Sequence, residues 1–235
     1  MTIDNTNDTS ATIIGTSPAR VDAGIKVTGA AIYGADVMLP RMAYGRILRS
    51  PHAHARIVRI DTRRAETLPG VVAVATADDL PSAEDRTDRV GEGSVNYRYA
   101  RDNTFASDKV LYHGHAVCAV AATSPEIAED ALALIDVAYE VLEPVLDVCR
   151  AMEDGAPIVH PNLRTRSFSG EGTSPTNVAS YNQFLKGDPE RGMAEADVVV
   201  RREFTTATVH QGYMEPHAAT ASWSPEGVLT IYTTT

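Results

Sequence analysis

The sequence predicts a mixed fold of the α+β or α/β class. Three observations carry that reading. Residues 41–76 hold three strand-like runs rich in β-branched residues. "HAVCAVAAT" (115–123) is a continuous apolar run of buried-strand length, followed at once by a segment with helix-capping signals. A stretch rich in Pro, Gly, Ser and Asn (155–187) then separates these elements from a second set of strand-like runs.

Taken in order, "RMAYGRILRS", "ARIVRIDT" and "VVAVAT" read as strands, with "RRAETLPG" as a short helical turn closed by Pro69-Gly70. Residues 81–105 are polar and without a period, so a long loop is expected there. "SPEIAEDALALI" predicts a helix: Ser124 caps it, Pro125 takes its first position, and Ile127, Ala131, Leu134 and Ile135 share a face. "DVAYEVLEPVLD" returns to an extended form that Pro144 stops. Beyond the extended connector, "DPERGMAEA" predicts a short helix with Asp188 as cap and Pro189 first. "DVVVRREFTTATV", "GYMEPHAATASW" and "GVLTIYTTT" read as strands, the last two joined by the turn "SPEG". The final strand ends without turn, cap or polar tail, and is expected to be continued by another segment.

Composition excludes several classes. Hydrophobic residues make up 43% of the 235, enough for a globular core. A net charge of −10 argues against a chain-wide basic surface for nucleic acid or anionic membrane. No apolar run approaches the ~18 residues of a membrane span. The first residues lack the basic and apolar regions of a secretory signal and read as a flexible polar arm. Two cysteines, Cys118 and Cys149, fit no zinc pattern, and Cys118 reads as a small buried hydrophobe. The expected setting is cytoplasmic and reduced.

Chemistry-bearing residues concentrate in "TVHQGYMEPHAATASW" (208–223). On a strand, Tyr213, Glu215, His217, Ala219, Ala221 and Trp223 share one face, which makes Glu215 and His217 neighbours able to hydrogen-bond. That suits acid–base work and also a structural ion pair, and the structural reading is preferred. Pro216 between them implies an edge or a bulge. "HAH" (His52, His54) and "HGH" (His113, His115) each place two imidazoles on one face if extended. Zinc needs three or four ligands, and no third is specified. "GEG" (91–93) opens no helix and so is no phosphate cradle.

Taken together, several motifs resemble the molybdenum-cofactor-binding subunit of the xanthine dehydrogenase/aldehyde oxidase family, over about Arg20 to Thr235. "KVTG", "LRSPHAHA" and "PGV" look like the opening of its α/β hammerhead domain, and "YHGHAVCAVAATSPEIAEDALALIDVAYEVLEPVLD" is similar to that domain's second half. The family more often has Gln-Pro or Glu-Pro where this chain has His115-Ala116. "GDPERGMAEADVVVRREFTT", "HQGYMEPHAATASW" and "LTIYTTT" look like the start of the molybdopterin-binding domain.

The resemblance implies a flexible arm at 1–19, a hammerhead domain at 20–150, an extended connector at 151–187 and the start of a molybdopterin-binding domain at 188–235. It implies a molybdenum hydroxylase that oxidises an aromatic N-heterocycle or an aldehyde, with water as oxygen source. This chain would supply scaffold and subunit contacts. The molybdenum cofactor belongs to the complete assembly. Iron–sulfur clusters and FAD belong to partner subunits, and none of these groups is expected on this chain alone. Expected partners are the rest of the molybdopterin-binding subunit, an iron–sulfur subunit and an FAD subunit. In the family "MEPHA" is a structural strand leading toward the cofactor. The glutamine, the Gly-Gly-Phe-Gly-Gly motif and the glutamate base of the family have no positions here. No catalytic, cofactor-binding or metal residue is therefore assigned. The rival readings are a non-catalytic assembly module with a hammerhead fold and a small zinc protein using the HxH pairs.

Overall fold

A computed structural model describes residues 15–234; the first part of the expected N-terminal arm, residues 1–14, lies outside the described residues, as does Thr235. The chain divides into two units, one of Arg41–Arg202 and one joining the residues up to Pro40 with those from Glu203 onward. In the second unit a short helix, α1 (Ala23–Val27), follows Asp22, whose carboxylate pairs with Lys26 and Arg20.

In the Arg41–Arg202 unit the runs at 41–76 fold as β1 (Tyr44–Arg49), β2 (Ala55–Asp61) and β3 (Val71–Thr76), with helix α2 (Arg63–Glu66) before β3. Further along come β4 (Thr87–Val90), β5 (Gly93–Asn96), helix α3 (Tyr97–Thr104), β6 (Lys109–Val110) and β7 (Ala116–Ala122). Helix α4 (Pro125–Leu132) and β8 (Asp136–Val141) follow. Two three-stranded sheets interleave the chain, ordered β1-β7-β3 and β6-β2-β8. Their ladders are antiparallel, which makes α+β the better description of this mixed fold.

The apolar run of β7 explains the core. Val117 packs with Ala55, Ala106 and Val110, Val120 with Ala65 and Ala131, and Ala116 with Ala77 and Phe105. One central strand thus feeds three apolar clusters, each buried valine contributing roughly 1.5–3 kcal/mol. Cys118 is fully buried, as a small hydrophobe should be. Helix α4 starts as expected: the Ser124 hydroxyl accepts from the Ile127 N–H at 3.3 Å. It ends sooner than expected, at Leu132, where Leu134 and Ile135 donate to Ala131 and Leu132 in tighter i→i+3 turns. Leu134 and Ile135 still pack on the Val120 cluster. The buried face of the helix proper is Ala128 and Ala131, small enough to let it close on the sheet.

Two expectations are corrected here. Residues 81–105 are not a structureless loop: β4 and β5 form a hairpin through Gly91, whose φ is +59°, and α3 follows. Asn96 caps α3 by accepting from the Tyr99 N–H at 3.1 Å. Arg101 ties the helix down by donating to the Ala77 and Pro81 carbonyls at 2.8 and 3.1 Å. Polar ties of this kind leave no apolar stripe to read. The second correction concerns 197–218, which forms no strand. Val198, Val200 and Phe204 have the residue types of a strand, but no neighbouring chain offers them a ladder.

The connector contains β9 (Arg166–Ser167) and β10 (Gly170–Glu171), paired as a minimal hairpin. Asn177 ties it inward. Its side-chain nitrogen donates to the Ala151 and Pro157 carbonyls, and its side-chain oxygen accepts from the Val159 N–H at 3.0 Å. Helix α5 (Pro189–Glu195) forms as predicted, with Asp188 accepting from the Arg191 N–H at 2.9 Å. Beyond Glu203, β11 (Ala219–Trp223) and β12 (Leu229–Thr233) form a two-stranded hairpin across the expected turn.

Candidate functional site

The segment 208–223 is a strand only from Ala219 onward. Gly212 takes a φ of +67°, and its N–H donates to His210 Nδ1 at 2.9 Å. Tyr213 meets His210 and His217 edge-on, at 5.7 and 5.5 Å between ring centroids. No hydrogen bond or ion pair joins Glu215 to His217, and both are exposed. The shared face expected of a strand is absent because Pro216 sits where pairing would have to begin and no ladder reaches it.

The HxH pairs separate as well. After Ser50-Pro51 the chain bends, placing His52 edge-on to Tyr139 at 5.0 Å. His54 turns inward, with Nδ1 donating to the Glu143 carbonyl at 2.7 Å and Nε2 buried without a partner. Gly114, at φ +86°, turns the second pair so that His113 is exposed and His115 is buried. Among the described residues no three or more His, Cys, Asp or Glu side chains are grouped to hold a metal ion.

The most developed concave feature lies in the Arg41–Arg202 unit, between α3, the turn before β7 and the connector. It is a cleft of about 630 Å³, lined by Tyr99, Tyr112, His115, His160, Leu163 and Asn177 among others. His115 is 1% exposed; its Nδ1 accepts from the Leu111 N–H at 3.2 Å and its Nε2–H donates to the Asp102 carbonyl at 2.9 Å. This pairing describes a neutral ring. Burial pushes its pKa down, against a smaller upward pull from the Asp102 contacts. Tyr112 stacks on it at 4.4 Å and donates to Asn103 Oδ1 at 2.6 Å. His160, edge-on to Tyr99 at 5.6 Å, is also pushed below the ordinary imidazole value, first by burial and then by the Lys109 charge. Lys109 donates to the Val159 carbonyl, and burial lowers its pKa against the pull of Asp108.

Sequence reasoning passed over His160, Asn177 and α3. His160 and Asn177 lie in an aperiodic connector that offers no local signal for them.

The Arg41–Arg202 unit thus holds interleaved antiparallel sheets and a tied connector, and the other unit holds the β11–β12 hairpin. Residues 28–143 match the aldehyde oxidase and xanthine dehydrogenase a/b hammerhead domain, and residues 171–235 match the molybdopterin cofactor-binding domain. The chain belongs to the xanthine dehydrogenase/aldehyde oxidase family. It is 29% identical over 223 residues to the nicotinate dehydrogenase large molybdopterin subunit of Eubacterium barkeri, covering 95% of this chain and 47% of that protein. The reconstituted CO dehydrogenase from Oligotropha carboxidovorans superposes with a TM-score of 0.76 at 32% identity, over 93% of this chain and 27% of that one. Quinoline 2-oxidoreductase from Pseudomonas putida 86 gives 0.75 at 30% identity, over 93% and 26%. The chain thus spans between a quarter and a half of the length of these relatives.

Residues 203–217 are exposed throughout, and none of their side chains is buried as a cofactor cradle would require. The described residues do not by themselves fit the molybdenum cofactor, so no reaction step is derived through it.

Proposed function

We propose that this chain supplies the hammerhead domain and the first elements of the cofactor domain of a molybdenum hydroxylase. The assembled enzyme oxidatively hydroxylates an aromatic N-heterocycle or an aldehyde, with water as the oxygen source. The chain's own part is scaffold and subunit contact. The observation that carries this reading is the order of the two matched domains on one chain, hammerhead before cofactor-binding. The names of the relatives, a "large molybdopterin subunit" among them, support a multi-subunit assembly. Its partners are then the rest of the molybdopterin-binding subunit, an iron–sulfur subunit and an FAD subunit. We assign 1–19 to an arm, 20–150 to the hammerhead domain, 151–187 to the connector and 188–235 to the start of the cofactor domain. Catalytic, cofactor-binding and metal residues are placed outside this chain. Among the described residues no helix is long and apolar enough to cross a membrane, which suits a cytoplasmic assembly.

The test is purification of the native complex through a tag on this chain, followed by elemental analysis and dye-linked oxidation of aldehydes and N-heterocycles. Co-purifying molybdenum, iron and turnover are expected. The chain alone is expected to hold no molybdenum. A complex without molybdenum overturns the hydroxylase reading, and near-stoichiometric molybdenum on the isolated chain overturns the placement of the site elsewhere.

A further inference from the structure

Strand β5 has one ladder partner, β4, and its outer edge is unpaired. The Tyr97 N–H donates to the Arg86 carbonyl at 3.0 Å, which sets the alternation of the ladder. Asp88–Val95 and Val90–Gly93 are then hydrogen-bonded pairs, and Arg89–Ser94 and Thr87–Asn96 are open pairs. The Asn96 side chain crosses its open pair to Thr87 Oγ1 at 3.1 Å, as facing side chains do there. The Ser94 and Asn96 N–H groups and the Ser94 carbonyl therefore point away from β4. Among the described residues no hydrogen bond takes them up.

That edge borders the 630 Å³ cleft. Ser94, Val95 and Asn96 all line it, and three consecutive residues do so only where a strand presents its edge rather than one face. The facing walls are aromatic and apolar, from Tyr99 on α3, Leu111 and Tyr112 before β7, and Val159 and Leu163 on the connector. Asp102 is the one carboxylate in the lining, which holds no ammonium or guanidinium group, and Arg101 pairs with it at 3.4 Å. Unpaired backbone groups thus stand beside an uncharged apolar trough.

The two edges of the hairpin are built differently. β4 carries Asp88 and Arg89, and charges of this kind guard an edge against pairing. β5, Gly-Ser-Val-Asn, carries none. A two-stranded hairpin is marginal by itself and is stabilised by a third strand. We propose that the β5 edge and its cleft receive an extended segment of the molybdopterin-binding subunit from outside residues 1–235, added to the hairpin as a third strand. Its carbonyls accept from the Ser94 and Asn96 N–H groups, one of its N–H groups donates to the Ser94 carbonyl, and its alternate apolar side chains enter the cleft.

This assignment rests on the hydroxylase reading above, and the length of chain outside the structure selects the occupant. The part matched by this chain is 27% of the CO dehydrogenase chain and 26% of the quinoline oxidoreductase chain. In both, most of the same polypeptide lies beyond the match. Such a segment meets the edge at the high effective concentration of one subunit, whereas a separate subunit would have to find a four-residue edge from solution. The chemistry agrees: an apolar segment enters the trough without burying an unpaired charge, and its backbone satisfies the three free groups of β5.

The native complex, purified through a tag on this chain with a photoreactive benzophenone residue in place of Ser94, tests this. Irradiation should cross-link that position to a peptide of the molybdopterin-binding subunit outside residues 1–235, identified by mass spectrometry. Ser94→Pro removes the outward donor and spares the β4 ladder, in which that N–H takes no part. It should lower the amount of the remaining molybdopterin subunit held by the tagged chain by about tenfold. Amide-exchange protection across β7 should stay unchanged. Arg89→Pro makes the same change on the guarded edge and should leave that amount within about twofold. Should the Ser94→Pro chain not fold, the cross-link decides alone. A molybdenum-containing complex that cross-links only to an iron–sulfur or FAD subunit or to a second copy of this chain, or not at all, overturns the docking and leaves the hydroxylase reading standing. Equal losses in the two proline variants do the same. A complex without molybdenum overturns the hydroxylase reading and the docking with it.

Discussion

Strands β7 and β12, "AVCAVAA" and "LTIYT", both read as strands in the sequence, the first small and apolar and the second β-branched and aromatic. One is the core of its unit and the other has every residue exposed. Strand propensity does not separate them, but the number of partners does. β7 has a strand on each side and helices α2 and α4 over its Val120 cluster, whereas β12 has β11 alone. A strand pattern thus states an ability to pair, and the burial that stabilises it comes from elements elsewhere in the chain.

A charge placed in each region should show the largest contrast. Val117 is fully buried and Met214 fully exposed. Val117→Asp should cost more than about 4 kcal/mol, because the carboxylate finds no partner in an apolar cluster. That is much of a typical domain's 5–15 kcal/mol, so the cooperative transition should be lost. Met214→Asp should stay within about 0.5 kcal/mol. Chemical denaturation of the two variants measures both. Equal effects would mean that residues 203–217 are packed after all.

The two cysteines give the next contrast, without substitution. Cys118 lies at 0% exposure on β7 with its thiol pushed up to about 11 by burial, while Cys149 is exposed. A disulfide reagent at pH 8 should label Cys149 at least about 10² times faster, since only the accessible thiolate reacts. Cys118 should react only under denaturing conditions. Comparable rates would place β7 outside the stable core.

These contrasts show why some of the molecule was legible in its sequence. β7 and α4 announce themselves locally, by an apolar run, by the Ser124 cap and by Pro125. The 87–96 hairpin and α3 do not, because Arg101 holds α3 through carbonyls 20 and 24 residues away. The His160 cleft was hidden for the same reason, since Asn177 organises it from across the connector. The segment 197–209 shows the opposite error, in which β-branched propensity was read as structure where no ladder partner exists. Glu215 and His217 were paired on that same assumption.

Glycines give a smaller effect. Gly70 holds φ +94°, and a Cβ there would lie 2.7 Å from Ile127 Cδ1 and 3.0 Å from Thr123 Oγ1. Gly70→Ala therefore meets both backbone strain and the α4 contact, and should cost about 1–3 kcal/mol. Gly212, at φ +67°, faces open space. Its alanine variant carries only a backbone cost of about 1 kcal/mol, borne by an exposed segment. Melting temperatures should separate the two, and a larger effect at Gly212 would reverse the ranking of the regions.

The smallest expected effect is at Glu215, and it sharpens the comparison most. In the described residues this carboxylate is exposed and pairs with nothing, so Glu215→Gln in the chain alone should shift stability by less than about 0.5 kcal/mol. The segment around it aligns with the molybdopterin cofactor-binding domain. If the proposed assembly buries this segment, the same substitution should lower assembly yield there. Turnover per bound molybdenum should stay within about 10-fold, because loss of a general base typically costs 10²–10⁴. A fall of thousands with the cofactor still bound would make Glu215 a reacting group. Unchanged yield and turnover would mean that the segment stays as exposed in the assembly as it is here. A yield that falls only in the assembly would show that β12 and its flanks differ from β7 in where their partners lie, not in what they are.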